Sequence, residues 1–262
     1  MSPKPKKKPA WVVAKERSGG DPTGVWLFGL HAVRDALLNP ARVRQRLIVT
    51  KNAGDRLSDA IAVAQITPEL RDARKFDAPL APESVHQGAA LLVETLAWPS
   101  LSELCAPRGA APLILMLDRV TDPHNVGAIL RSAEVFGARA VIAPARHSAP
   151  ETGALAKTAS GALERQPYLR VQNLATAMRT VKEMGYTVIG LDGTGDAPLP
   201  DVLAPLTGLP TALVLGAEGP GMRRLTTDSC DRVARIPFAG EFGSLNVSNA
   251  AAVALYEAAR RR

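Results

Sequence analysis

From Leu113 onward, short apolar runs alternate with stretches of helical periodicity, and that alternation leaves few folds open. Six segments read as strands: Leu113–Leu117, Ala140–Ala143, Tyr168–Val171, Thr187–Leu191, Ala212–Leu215 and Val233–Ile236. Helical patterns cover Asn125–Phe136, Leu174–Met184 and Asn246–Arg261. Strands apolar on both faces must be covered on both, and parallel neighbours need crossovers long enough to hold a helix. The reading is an α/β domain on a parallel sheet, spanning residues 112–262.

The N-terminal part repeats the alternation on a smaller scale. Val25-Trp26-Leu27-Phe28-Gly29 opens it, and a helical pattern runs from His31 to Leu38. Asn39-Pro40 stops that helix, because a proline pushes the residue before it out of the helical region. Leu47–Val49 and Gly88–Glu94 read as strands and Leu57–Val63 as a helix, giving a small α/β domain over residues 25–96. Pro99, Pro107, Gly109 and Pro112 punctuate a weak helix around Ser102–Cys105, so residues 97–111 read as a linker.

Composition then narrows the function classes. No apolar run approaches the roughly 18 residues that span a bilayer, and no signal-peptide core follows the N-terminal lysines, so neither membrane insertion nor secretion is expected. Cys105 and Cys230 build neither a disulfide framework nor a metal knuckle, and His31, His86, His124 and His147 lack metal-ligand spacing. A reducing, cytoplasmic setting without a bound metal is the expectation. Most of the formal net charge of +7 lies between Met1 and Arg17, where Lys4, Lys6, Lys7, Lys8, Lys15 and Arg17 face one acid, Glu16. Residues 1–24 read as a disordered basic tail: either a solvated arm or one that touches the phosphates of a nucleic acid.

No G-x-G-x-x-G, G-x-x-x-x-G-K-[ST] or G-x-S-x-G motif occurs, which removes the dinucleotide, P-loop and serine-hydrolase readings. Three segments do carry unusual polar density beside apolar strands. Leu117-Asp118-Arg119-Val120-Thr121-Asp122-Pro123-His124-Asn125-Val126-Gly127 leads into a helix whose apolar face is Val126, Ile129, Leu130 and Ala133, so Arg131 points elsewhere. Asn125 reads either as a helix cap beside a surface arginine or as part of a phosphate site. Leu215-Gly216-Ala217-Glu218-Gly219-Pro220-Gly221-Met222 leaves bare backbone at the carboxyl end of a strand, where α/β sheets bind ligands, and it also reads as a tight turn. Ser244-Leu245-Asn246-Val247-Ser248-Asn249 opens the last helix, with Ser244 or Asn246 as its cap and more polar groups than one cap needs.

In this order the three segments resemble the SpoU (TrmH) family of RNA ribose 2′-O-methyltransferases, within the knotted SPOUT superfamily. The resemblance covers Leu113 to Arg262. In the smaller domain, Gly29-Leu30-His31-Ala32-Val33, Ala36-Leu37-Leu38 and Val85-His86-Gln87-Gly88 are similar to the family's ribosomal-protein-like RNA-binding domain. That extension, with Gly221-Met222-Arg223-Arg224-Leu225-Thr226, looks closest to the RlmB-like branch, which methylates a guanosine of large-subunit rRNA. Asn249 departs from the pattern, since many members carry an apolar residue there.

The resemblance implies a C-terminal trefoil knot with S-adenosylmethionine held at Leu191, Gly193, Leu215, Gly216, Ile236 and Leu245. It implies a catalytic set of Asn125, Arg131, Glu218, Ser244 and Asn246. It also implies RNA as partner and a homodimer to which Ala250, Ala251, Val253, Ala254 and Leu255 contribute. Arg131 is sometimes given the general-base role in this family. A guanidinium pKa above about 12 makes a phosphate clamp the more economical role, and the base stays open. A tRNA ribose methyltransferase and a catalytically idle RNA-binding or ribosome-assembly module remain as alternatives.

Overall fold

The computed structural model describes residues 24–108, 111–240 and 245–261. The basic tail therefore lies outside the described residues, apart from Gly24, and so does Ser244. The chain divides into two compact units, one ending at Leu96 and one beginning at Ala97.

The first unit holds four strands: β1 (Val25–Phe28), β2 (Arg44–Thr50), β3 (Pro68–Arg71) and β4 (Ala89–Val93), in the order β1-β4-β2-β3. The central strand β4 runs antiparallel to both neighbours and is buried at every position, as its unbroken apolar run requires. Helix α1 (Leu30–Leu38) buries Leu30, Ala32, Val33, Ala36 and Leu37; α2 (Lys51–Arg56) and α3 (Ser58–Ala64) follow β2. Two features escape a hydrophobicity reading. Strand β2 starts at Arg44 because its polar entry is paired across the ladder: Arg46 Nε lies 2.7 Å from Glu69 Oε1 on β3. Strand β3 begins with a proline, which an edge position tolerates because no ladder bond is lost on the open side.

The second unit is a wholly parallel seven-stranded sheet in the order β7-β6-β5-β10-β8-β11-β9. Its strands are β5 (Leu113–Asp118), β6 (Ala140–Pro144), β7 (Tyr168–Val171), β8 (Thr187–Leu191), β9 (Ala197–Pro198), β10 (Thr211–Gly216) and β11 (Arg232–Arg235). Strand β11 ends one residue earlier than the sequence suggests, which leaves Ile236 just beyond it. Strand β9 spans two residues and carries no pattern that could announce it. The helices are α4 (Leu101–Leu104), α5 (Pro123–Val135), α6 (Gly153–Ala159), α7 (Leu174–Glu183), α8 (Leu199–Leu203), α9 (Arg224–Asp228) and α10 (Val247–Ala259).

The segment from Ala97 to Arg108, expected as a linker, packs on this unit: Cys105 is buried in its core and Trp98, Leu101 and Leu104 pack against it. The Tyr186 hydroxyl donates to the Cys105 carbonyl at 2.8 Å, and Arg139 Nη2 donates to the Arg108 carbonyl at 2.9 Å. The proline punctuation marks an irregular strap that the core holds down. Helix α10 likewise spends Ala251, Ala254 and Leu255 on its own unit, beside Val247 and Ala258, and leaves Val253 and Tyr256 exposed.

A parallel sheet sends all its carboxyl ends to one edge, and the register aligns them closely. Gly216 pairs with Asp118, Leu215 with Leu191, and Leu191 with Ala234.

Candidate active site

Three loops meet at that edge. The first follows β5 and enters α5. Asp122, not Asn125, caps the helix: its carboxylate accepts from the His124 amide at 3.0 Å, and Pro123 fills the first turn, where no amide is needed. Asn125 is thereby released from capping and sits in the first turn, only 9% exposed. Val126, Ile129, Leu130 and Ala133 are all buried, and Arg131 is exposed off that face.

The second loop follows β10. Ala217 and Gly221 exchange backbone hydrogen bonds of 3.1 and 2.9 Å, closing a tight turn in which Gly219 and Gly221 have φ of 83° and 66°. Only glycine takes such angles cheaply. Gly216 is more constrained still, because a Cβ there would lie 2.0 Å from the Gly221 carbonyl carbon and 2.1 Å from the Met222 nitrogen. Gly193 is the opposite case: a Cβ would meet nothing within 4 Å. The turn carries Glu218 outward.

The third segment precedes α10, with Asn246 as its cap. Asn246 Oδ1 accepts from the Ser248 amide at 2.9 Å, so the capping interpretation of this residue holds. Its other end reaches across the site. Asn246 Nδ2 donates to Asn125 Oδ1 at 3.0 Å and to Glu218 Oε1 at 2.5 Å, and Asn125 Nδ2 donates to the same carboxylate oxygen at 3.1 Å. The Val247 amide adds a longer contact of 3.4 Å. Thus Asn125, Glu218 and Asn246 form one network. Each amide has its orientation set by an ionised acceptor, and such bonds are about twice as strong as neutral ones.

The other candidate residues fall into two groups. Leu191, Leu215 and Gly216 lie in register on adjacent strands, with Ile236 just past β11 and Leu245 next to the cap, half exposed. The loops after β8 and β11 are tied main chain to main chain, with the Asp192 amide donating to the Ala234 carbonyl at 3.0 Å. Arg131 stands apart from the network. It lies six residues along α5 from Asn125, about 9 Å of helix rise, and has no hydrogen-bond or ion-pair partner among the described residues.

Sequence reasoning placed Asp118 in the polar segment after Leu117 but gave it no role. It is fully buried at the end of β5, accepts from the Arg223 amide at 2.8 Å and pairs with the Arg223 guanidinium at 2.8 Å. That pair braces the loop carrying Glu218 against the loop leading to Asn125. The available signal was a charge placed directly on the end of a wholly apolar strand, where burial demands a partner. Both thiols are poor nucleophiles, since burial pushes Cys105 and Cys230 up to about 11. Among the described residues no three His, Cys, Asp or Glu side chains gather as metal ligands, and no helix is long and apolar enough to cross a membrane.

Residues 112–256 match the model of the SpoU rRNA Methylase family. The chain belongs to this family. Over 229 residues it is 46% identical to the 23S rRNA (guanosine-2′-O-)-methyltransferase RlmB of a Burkholderia species, covering 87% of each chain. It is 40% identical over 249 residues to the protein of the same name from Vibrio vulnificus, covering 90% of this chain and 97% of that one. Among solved structures, the SpoU methyltransferase AviRb from Streptomyces viridochromogenes, in complex with the cofactor AdoMet, shares the fold. The TM-score is 0.75 at 24% identity, covering 96% of both chains. The SpoU family match thus contains all three polar segments described above.

Proposed function

We infer that this chain transfers a methyl group from S-adenosylmethionine to the ribose 2′-hydroxyl of a guanosine in 23S rRNA. One observation carries the reading: Asn125, Glu218 and Asn246, from three distant segments, share a hydrogen-bonded network beside the bare backbone of Gly216. Proteins 40–46% identical over most of the chain bear the name of that activity.

The residues at the β10, β8 and β11 ends suit the cofactor. Leu191, Gly193, Leu215, Gly216 and Ile236 bring no charge and offer peptide N–H and C=O groups on three neighbouring strand ends, and Leu245 adds an uncharged residue before α10. That chemistry recognises a nucleoside without a charged pocket. When bound, the cofactor supplies a methyl already activated by its sulfonium. The chain's own residues have to align the acceptor and assist loss of one proton. Glu218 accepts from both asparagine amides and Asn246 is fully used within the protein, so the second Asn125 Nδ2 hydrogen is the one held in a single orientation for substrate. Arg131, unpartnered among the described residues, has its planar two-pronged donor free for a phosphate near the reacting ribose, where its charge also favours the ionised hydroxyl. Ser244 completes the family set by its place beside Leu245.

The wider reading follows from the same family. The C-terminal segment forms the trefoil knot, a reading supported by the placement of β10 between β5 and β8 and of β11 between β8 and β9. Residues 25–96 bind the RNA substrate and the basic tail adds phosphate contacts in the cytoplasm. The protein acts as a homodimer through an apolar surface containing Val135, Val253 and Tyr256, all exposed.

The test is methyl transfer from labelled S-adenosylmethionine to RNA from cells lacking this protein. Label recovered as 2′-O-methylguanosine in 23S rRNA is the expected result. Label in tRNA instead would move the substrate, and RNA binding with no label anywhere would leave an idle module.

A further inference from the structure

We propose that Arg119, Arg146 and His147 form a phosphate-gripping rim that holds substrate RNA at the β5–β6 end of the site. The proposal rests on the methyltransferase reading above and adds residues to it. Arg119 follows β5 directly, and Arg146 and His147 follow β6. Met116 pairs with Ile142, so the two strands end side by side on the edge that carries Asn125 and Gly216. All three side chains are exposed, and none has a hydrogen-bond or ion-pair partner among the described residues.

The backbone beneath them is costly and rigid. Arg119 and His147 have φ of 63° and 61°, the left-handed region that glycine takes freely and branched side chains do not. The other non-glycine residues in that region have local reasons. Gln65 and Ser160 end helices, and Gln87 Oε1 accepts from the Leu30 amide at 3.1 Å. Arg119 and His147 end no helix, and their side chains make no hydrogen bond or ion pair among the described residues. Strain kept without an internal return points to an external one.

The β6 loop is also fixed from below. Arg170 donates to the carbonyls of Ala145 at 2.6 Å and Ala149 at 2.7 Å, and the Tyr168 hydroxyl donates to Ala149 at 2.8 Å. The Ser148 hydroxyl donates to the Pro144 carbonyl. The Ala149 amide donates to the Val120 carbonyl at 3.1 Å, which ties the His147 loop to the Arg119 loop. The result is a pair of arginines and an imidazole presented on a preformed support. A backbone fixed in advance suits a polyanion, because only the side chains, and not the loops, have to be ordered on contact.

The experiment uses the full chain carrying Arg119→Gly, Arg146→Ala and His147→Gly together. Glycine removes the side chain where glycine is the better backbone, so the melting temperature should be unchanged or raised. Affinity for a full-length 23S rRNA transcript should fall about tenfold or more, and the slope of log K against log salt should become shallower by roughly 1.4–1.8, the share of two phosphate contacts. Affinity for S-adenosylmethionine should stay at the parent value. A folded variant with parent RNA affinity and parent salt slope would overturn the proposal. RNA binding is measured on its own, so a parent protein that methylates no RNA would overturn the assigned reaction while binding loss in the variant still supports the rim.

Discussion

The two halves of the sheet's carboxyl edge are built from different materials. At the ends of β10, β8 and β11 the working surface is backbone: Gly216 admits no Cβ, and the neighbouring loops are joined amide to carbonyl. At the ends of β5 and β6 it is side chain, with the Asn125 amide and the exposed guanidiniums of Arg119, Arg131 and Arg146. A small molecule of fixed shape is well served by fixed peptide groups. A long anion is better met by charges that stand away from the surface. Glu218 and Asn246 join the halves, since the carboxylate comes from the β10 loop and accepts from an asparagine of each flanking helix region.

The comparison predicts that the backbone half tolerates no added atom where main chain meets main chain, at Gly216, and this should be the largest effect. Gly216→Ala forces the Gly221–Met222 peptide to move, since its Cβ would lie 2.0 Å from a backbone carbon. Cofactor affinity should fall about 1000-fold, a cost of about 4 kcal/mol. Gly193→Ala is the control, because its Cβ meets nothing within 4 Å; affinity should stay within a few-fold. Calorimetry with S-adenosylmethionine on both folded variants decides the matter. Equal affinities would place the pocket elsewhere on the edge.

The side-chain half should behave in the reverse way, losing chemistry without losing stability. Arg131→Ala removes an exposed residue with no described partner, so stability should change by no more than about 0.5 kcal/mol. Single-turnover methyl transfer at saturating RNA and cofactor should fall about 100-fold. Lysine should rescue little, because a point charge lacks the two-pronged geometry that suits a phosphate. A rate within a few-fold of the parent would return Arg131 to the ordinary surface.

Physical reasons decide which parts of this arrangement were legible in the sequence. Strands β5, β6, β8 and β10 announce themselves because burial on both faces demands unbroken apolar runs. The edge strands β3 and β9 do not, since one is polar and the other is two residues long. Polar density at strand ends located Asn125, Glu218 and Asn246, but the capping role went to Asp122 because Pro123 pre-sets the first turn one step earlier than the periodic pattern begins. The Asp118–Arg223 pair spans 105 residues, and nothing local in either segment names the other. The left-handed backbone of Arg119 is equally silent, because sequence propensity argues against it.

The smallest expected effect falls on Glu218, where the two halves meet. Glu218→Gln keeps an oxygen acceptor of the same shape at the point now used by Asn125, Asn246 and the Val247 amide. What it removes is the charge, so each of these bonds drops toward neutral strength. Asn246 still caps α10 through its Oδ1, which leaves the helix entry intact and the melting temperature within about 2 °C. Methyl transfer should fall about tenfold, a barrier increase of about 1.4 kcal/mol, through looser orientation of the two amides. Glu218→Ala should fall further, since both amides then turn to water. The ratio of the two variants carries the information. Equal losses would mean that the carboxylate charge itself acts on the reacting groups, whereas a Gln variant at parent rate would reduce Glu218 to a spacer between two asparagines.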